Sequence, residues 1–383
     1  MADVIVVGGG IHGCSAAFHL ARRGASVCLV EKDTLGRHAS GVNAGGVRQI
    51  FRALPEVPLS VTAMAMWERI ADMLDDDCGF AAHGHVFVAE NEHDLTRLQA
   101  RRNEMVAAGF RHEELIGAAE LKELVPALAG HCVGGLISRR DGAALPFHTV
   151  HAFERQLRRL GVTIEEHAPV TSIRHEGGVW TAEVENGRRF SAPSLVNAAG
   201  AWAAALAAQA GEAVRMQAVA PMLMISERMP PFISQVVSAV AAPLSFKQFA
   251  NGTVLIGGGY EGHADPRSNR TELDFRKLAR NAGTVFDLFP VMRGARLIRA
   301  WAGIEGRTGD DLPVIGASCT EDGLFHAFGF SAHGFQLGPV VGSIIADLVL
   351  DGTTDLPIEA FSIGRFNLAQ PMQASTSSER DAR

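Results

Sequence analysis

No apolar stretch of the 383-residue chain reaches the roughly 18–20 residues that a membrane-crossing helix requires. The nearest, Val340 to Leu350, is shorter and carries Asp347, so no membrane span is expected. A dense Lys/Arg run is also missing. With a net charge of -7 and an isoelectric point near 6.1, that argues against nucleic acid as the main partner. The five cysteines (Cys14, Cys28, Cys78, Cys132, Cys319) are an odd number with no CxxC or Cys/His ligand spacing. Neither a disulfide framework nor a metal site is indicated, and a reducing, cytoplasmic setting fits. The opening MADVIVVGGG has no basic segment ahead of its apolar run, so it reads as a buried strand rather than a signal peptide.

What the chain does have is glycine, at 41 positions, in a composition that is 47% hydrophobic and 20% charged. Such a profile belongs to a globular protein with many tight turns, and the length suits two domains. An apolar run Val4 to Val7, glycines, the apolar-periodic segment Ile11 to Arg22, Gly24 and a second run Val27 to Val30 predict strand, turn, helix, strand. Residues 36–47 (GRHASGVNAGGV) are too rich in Gly, Ser and Asn for a regular element, and a helical pattern resumes from Leu59 to Leu74. From Phe80 the texture changes to short strands such as His85 to Ala89 and charged helices such as Glu92 to Ala108. His83 and His85 form an HxH pair without further ligands, which reads as exposed strand residues.

Gly8, Gly10 and Gly13 form G-x-G-x-x-G between the first strand and the first helix. Missing side chains there permit the tight turn, the approach of backbone to a pyrophosphate and close helix packing. The orphan N–H groups of the helix start favour the anion. Glu31 follows the second strand, 18 residues after Gly13, where a carboxylate accepts hydrogen bonds from ribose hydroxyls. The flanking elements and the acid raise an otherwise weak triplet to a dinucleotide site.

Beyond the fingerprint VIVVGGGIHGCSAAFHLARRGASVCLVEK, the segments SGVNAGGVRQ, SLVNAAGAWA, WAGIEGRTGDDLPVIG and FHAFGFSAHGFQLGPVVG resemble the D-amino-acid oxidase superfamily. The likeness is to the branch with glycine oxidase and sarcosine oxidase, and it covers nearly the whole chain. It implies an α/β fold in which a Rossmann-like FAD-binding domain (1–79, 146–212 and 301–369) is interleaved with an α+β substrate domain. That second domain (80–145 and 213–300) is expected on a mostly antiparallel sheet, with a disordered tail at 370–383. FAD is then the implied cofactor. Its expected contacts are Gly8, Gly10, Ile11, His12 and Gly13 in the fingerprint, and Glu31, Lys32 and Val170 at the adenosine end. The loop residues Ser40, Asn43, Ala44, Gly45, Gly46 and Val47 are implied along the pyrophosphate and flavin. Ala199, Gly200, Trp202, Gly303, Gly334, Phe335 and Gln336 complete the implied set. The segment WAGIEGRTGDD has no cysteine where sarcosine oxidases tether the flavin, which implies non-covalent FAD.

The likeness also implies chemistry: oxidation of the C–N bond of a small amine or amino acid, N-substituted, cyclic or D-configured, with hydride passing to flavin N5 and the imine then hydrolysing. A carboxylate on the substrate calls for a cation. Arg48 and Arg52, four apart, would share a helix face, and guanidinium meets carboxylate in bidentate geometry. Arg307, Lys247 and Gln336 are weaker candidates for the same task, and His333 resembles a flavin-adjacent histidine. Glu305 stands where glycine oxidase-like enzymes place an arginine, Gln336 where sarcosine oxidases place a lysine, and Leu255 or Ile256 where they place a lysine linked to oxygen activation. These departures leave the substrate open. Two alternatives stand beside amine oxidation. One is an FAD-dependent 2-hydroxy-acid or polyol dehydrogenase; the other is an FAD-carrying subunit of a hetero-oligomer that passes electrons to a partner protein rather than to oxygen.

Overall fold

The computed structural model describes residues 2–366; the predicted tail at 370–383 lies outside them. A six-stranded sheet carries, in order, Val314–Ala317, Leu324–Phe328, Ser194–Asn197, Val4–Val7, Val27–Val30 and Thr163–Glu165. Its strands run parallel except Val314–Ala317, which returns antiparallel beside Leu324–Phe328. Val4–Val7 and Val27–Val30 are buried at every position, the mark of parallel strands covered on both faces.

Helix Ile11–Arg22 covers one face of this sheet and packs along the C-terminal helix Gly334–Asp351. Glycine permits the close approach. A Cβ on Gly338 would lie 2.7 Å from Ile11, and one on Gly342 would lie 2.1 Å from Ser15 Oγ and 2.4 Å from the Ser15 backbone. By length and composition Gly334–Asp351 could cross a membrane, but most of it is buried in the fold against the first helix and Val57–Trp67.

An eleven-stranded sheet forms the second layer, mostly antiparallel, with Val236–Ala239 parallel to His85–Ala89. Its spine is the long strand Met216–Ser226, which pairs with four neighbours. Helix Phe275–Leu288 lays Leu278, Ala282 and Val285 onto this sheet, and the alternation of those residues with charged ones is what makes the segment an amphipathic helix.

Several local expectations change. Residues 36–47 do contain regular structure, a single turn of helix Ala39–Val42 and a two-residue strand Gly46–Val47 that pairs with Gly142–Ala143. The segment Leu59 to Leu74 is two helices, Val57–Trp67 and Ile70–Leu74, the first opened by Pro58 at its N-terminus. Glu305–Thr308, expected in the nucleotide domain, pairs with Met216–Ser226 in the larger sheet. Arg48 and Arg52 are not on a helix. They flank a turn in which Phe51 takes φ 58, and Asp141 clamps it by accepting the N–H groups of Gln49 (2.8 Å) and Ile50 (2.9 Å).

Candidate active site

A cavity of about 1000 Å³ runs from the first βαβ unit to the larger sheet. That is the upper end of the roughly 300–1,000 Å³ of ordinary small-molecule sites, room for a large cofactor with a small substrate beside it. At one end lies the glycine turn. Gly8 has φ +107 and a Cβ there would sit 2.4 Å from Ala198 O; a Cβ on Gly13 would sit 1.9 Å from Gly8 O. Only glycine fits either place. Gly10 caps the helix start, and Ser40 Oγ accepts the Ile11 N–H at 2.9 Å, fastening the loop over it. Glu31 is held by the N–H groups of Gly9 (2.6 Å) and Asp33 (2.8 Å), so its carboxylate is fixed at the cavity wall; burial raises its pKa. Lys32 Nζ lies 3.4 Å from the centre of the Trp202 ring, and this cation–aromatic pair lines the same cavity.

These residues fit the adenosine and pyrophosphate of FAD: a glycine cradle, the start of a helix and a placed carboxylate. Asn43 shapes the next stretch, its Nδ2 donating to Ala39 O and Ser40 O (both 3.0 Å) while its Oδ1 accepts the Gly45 N–H at 2.7 Å. Gly303 approaches this loop so closely that a Cβ would sit 2.4 Å from Val42. No cysteine lines the cavity among the described residues, in keeping with a cofactor held without a thiol link.

The start of Gly334–Asp351 opens on the cavity, through His333, Gly334 and Phe335. Ser331 (φ 49) and Ala332 (φ 68) precede it, two consecutive left-handed residues that are not glycine. Such backbone is costly and persists only where it is held. The Glu305 carboxylate holds it by accepting the Ala332 N–H, and burial raises the Glu305 pKa. His12 stacks on Phe330 at 3.6 Å, and its Nε2 meets Gly334 O at 3.0 Å. Burial lowers the His12 pKa to about 3, so the ring is neutral and Nε2 carries the proton that it donates.

At the other end, Arg52 is only 2% exposed. Its Nη2 donates to Gln336 Oε1 at 3.2 Å and its Nε to Arg48 O at 3.2 Å, while Nη1 is buried with no protein partner. Burial, with Arg48 nearby, lowers its pKa to about 9, which leaves it charged at neutral pH. Gln336 is fixed in turn: its Oε1 accepts Ser60 Oγ (3.2 Å), its Nε2 donates to Ser60 O (2.8 Å) and its backbone O accepts Trp67 Nε1 (2.8 Å). Arg48 donates to Ile50 O at 2.6 Å. His333 Nδ1 stands 3.4 Å from Glu56 Oε2, an ion-pair distance without hydrogen-bond alignment. Burial lowers the His333 pKa and Glu56 opposes that shift.

Most of the expected residues therefore meet in one cavity, and four stand behind its surface. Gly13 and Val47 support the turn and the loop, Gln336 positions Arg52, and Lys247 is buried with its Nζ on Ala44 O. Burial lowers the Lys247 pKa to about 7. Arg307 lines the cavity but is engaged by Glu261 (2.5 Å) and lies 3.6 Å from Asp311, so it is a poor carboxylate anchor. His85 overturns the reading of an exposed pair: it is buried, lines the cavity, and bonds Ser238 Oγ at 2.9 Å with its Nδ1 unpartnered. Its signal was strand alternation, which puts His85 on the same face as Phe87. Glu56 was missed altogether; its cue was one acid in the apolar LPEVPLS.

A family model described as FAD dependent oxidoreductase matches residues 3–348. Sarcosine oxidase subunit beta of Rhodobacter capsulatus is 26% identical over 377 residues, 96% of this chain and 89% of that protein. Glycine oxidase of Geobacillus kaustophilus is 28% identical over 371 residues, 95% and 97% of the two chains. The crystal structure of glycine oxidase from that species superposes with a TM-score of 0.88 at 25% identity, covering 97% of this chain and 99% of the other. L-proline dehydrogenase from P. horikoshii superposes with a TM-score of 0.87 at 26% identity, covering 96% and 98%.

Proposed function

The chain belongs to the FAD dependent oxidoreductase family, and from that premise we propose that it oxidises the C–N bond of a small amino acid or amine that carries a carboxylate. Its relatives are oxidases and dehydrogenases named for sarcosine, glycine and proline, all carboxylated amines. Bound FAD supplies the acceptor for the hydride pair. The chain supplies position, charge and a proton acceptor. Arg52 offers a free Nη1 to the substrate carboxylate, and Gln336 keeps its guanidinium from rotating away. Anchoring one end of the substrate converts the hydride transfer into a step between groups already in place. His333, neutral because it is buried, takes the proton that an ammonium substrate must lose before its nitrogen can form an imine; Glu56 stabilises the resulting imidazolium. The imine hydrolyses in water.

The observation that carries this reading is Arg52, a buried cation that lines the cavity and has one guanidinium nitrogen without a protein partner. Isolated charge in the interior is expensive, so a site that keeps one is built for an anion. The test is anaerobic mixing of the FAD-loaded protein with a panel of carboxylated amines and of 2-hydroxy acids. Bleaching of the flavin absorbance by amines supports the reading. Bleaching by hydroxy acids alone would replace it, with His333 then taking the hydroxyl proton. Relatives named as subunits support a hetero-oligomer as the working assembly, and size measurement of the protein co-expressed with its genomic neighbours checks that.

A further inference from the structure

We propose that Glu305 is a positioning residue of the reaction: its carboxylate holds a strained turn that sets His333 in the cavity beside Glu56. The inference rests on the reading of His333 as proton acceptor and adds the group that keeps it in place.

Phe330, Ser331, Ala332 and His333 form a tight turn, closed by the His333 N–H on Phe330 O at 2.8 Å. Its two central residues have φ 49 and φ 68, the positive signs that a type I′ turn requires at both positions. Such a turn is ordinarily built from Asn or Asp followed by Gly, residues that take left-handed backbone at little cost; alanine carries a Cβ that opposes it. Packing does not compensate, since Ala332 is exposed where it lines the cavity. The conformation is therefore held from outside the turn.

The ties come from one strand, Glu305–Thr308. The Glu305 carboxylate accepts the Ala332 N–H, Gly306 O accepts the Ser331 N–H at 3.4 Å, and Ser331 Oγ accepts the Thr308 N–H at 3.2 Å. Glu305 is the one side chain that reaches Ala332 among these. No cation lies within 4.0 Å of Glu305 among the described residues, and Arg307, two residues on, is engaged by Glu261 at 2.5 Å. A free carboxylate lining this cavity would oppose an anionic substrate, so its presence calls for a task. Holding the left-handed turn is that task.

His333 is the last residue of the turn and directly precedes helix Gly334–Asp351, so the turn fixes both where the imidazole stands and where the helix begins. The other end of the turn is anchored separately, by the stacking of Phe330 on His12 at 3.6 Å. The two left-handed residues are what can relax. Without Glu305, Ala332 returns toward the backbone that alanine prefers, and His333, joined to it by one peptide, leaves its place 3.4 Å from Glu56. Anchoring of a substrate carboxylate is untouched, because Arg52 is held by Gln336, which Ser60 and Trp67 fix.

The test is a cycle of Glu305→Ala with Ala332→Gly in the FAD-loaded protein, read by anaerobic flavin bleaching with whichever compound of the amine and hydroxy-acid panel acts fastest. Glu305→Ala should lower the limiting bleaching rate about tenfold or more, with apparent Kd within about threefold of wild type. In the Ala332→Gly background, where the left-handed backbone carries little cost, the loss caused by Glu305→Ala should shrink to about threefold or less. Glu305→Gln keeps an acceptor oxygen for the Ala332 N–H, so its loss should also stay within about threefold. Hydrogen exchange over residues 330–333, measured without substrate, should rise in Glu305→Ala and not in Glu305→Gln. FAD content and melting temperature report whether each variant is folded; if Glu305→Ala loses FAD, restoration by Ala332→Gly supports the tie and persistence of the loss overturns it. Unchanged rate and exchange in Glu305→Ala, or an equal loss in both backgrounds, overturns the proposal. Glu305→Gln as slow as Glu305→Ala also overturns it, and makes Glu305 a charge that acts on the substrate directly. Bleaching by hydroxy acids alone replaces the amine reading and leaves the cycle to be read on that substrate.

Discussion

Arg52 and Gln336, 284 residues apart in the chain, share a hydrogen bond of 3.2 Å that ties the turn after the Gly-rich loop to the first turn of the C-terminal helix. The bond uses Nη2 and leaves Nη1 without a protein partner. Replacing Arg52 by Met should therefore weaken carboxylate substrates by about 2–4 kcal/mol, roughly thirtyfold to several-hundredfold in kcat/KM. FAD content should not change, and the melting temperature should hold or rise, because an unpaired interior charge is exchanged for an apolar chain of similar length. Steady-state kinetics with thermal unfolding checks both; unaltered KM removes Arg52 from the site.

His333 and Glu56 give a pH dependence whose sign can be worked out. Burial holds the His333 pKa below 6.5, Glu56 pulls it up, and Arg52 and Arg48 push it down. If the neutral ring accepts the substrate proton, kcat/KM falls as pH drops through that lowered pKa. Glu56→Gln removes the upward pull, so the acid limb should move to lower pH. Arg52→Met removes a downward push, so its acid limb should move to higher pH. Profiles of kcat/KM against pH for the two variants would contradict the assignment if both limbs moved the same way or neither moved.

Two glycines separate cofactor binding from stability. Gly8→Ala forces a side chain into φ +107 and to within 2.4 Å of Ala198 O at the pyrophosphate cradle, so the purified protein should lose most of its bound FAD. Gly342→Ala instead puts a methyl 2.4 Å from the Ser15 backbone between two helices, remote from the turn. It should cost on the order of 1–3 kcal/mol, read from the urea midpoint, with FAD still bound in the folded fraction.

How much of this was legible in the sequence depends on the range of the interaction. The βαβ unit could be read because its strand, glycine turn, helix and acid are neighbours, each with a local steric or charge reason for its residue type. The C-terminal helix and Gln336 were legible as a helix start. What Gln336 touches was not, because Arg52, Ser60 and Trp67 reach it from segments far away. Arg48 and Arg52 were read as helix neighbours by their spacing alone. The turn at Phe51 is imposed by Asp141 and Glu113, acids from distant segments whose claim on these N–H groups no local pattern shows. His85 was misread for a related reason: a strand in the middle of a wide sheet buries both faces, so alternation signals which face a residue takes and not whether that face is wet.

His12 carries the last prediction. It stacks on Phe330 and donates to Gly334 O, in a place where burial lowers its pKa from 6.5 to about 3. Below pH 6.5 the unfolded chain protonates this ring and the folded chain does not, so the unfolded state binds more protons and stability falls with falling pH. A single such group contributes about 1.4 kcal/mol per pH unit within the window between the two pKa values. Other groups titrate in the same range, some in the opposite sense, since burial raises Glu31 and Glu305. The informative quantity is therefore the difference between wild type and His12→Phe, which keeps the stacking on Phe330 and removes the proton. At pH 7.5 the variant should be less stable, by about 0.5–1.5 kcal/mol for the lost bond to Gly334 O. From pH 6.5 downward it should gain on the wild type at about 1.4 kcal/mol per unit, crossing it near pH 5.5–6. Urea unfolding of the two proteins across pH 5 to 8 measures the gap, and a gap that is constant with pH would mean that the His12 ring protonates in the folded protein.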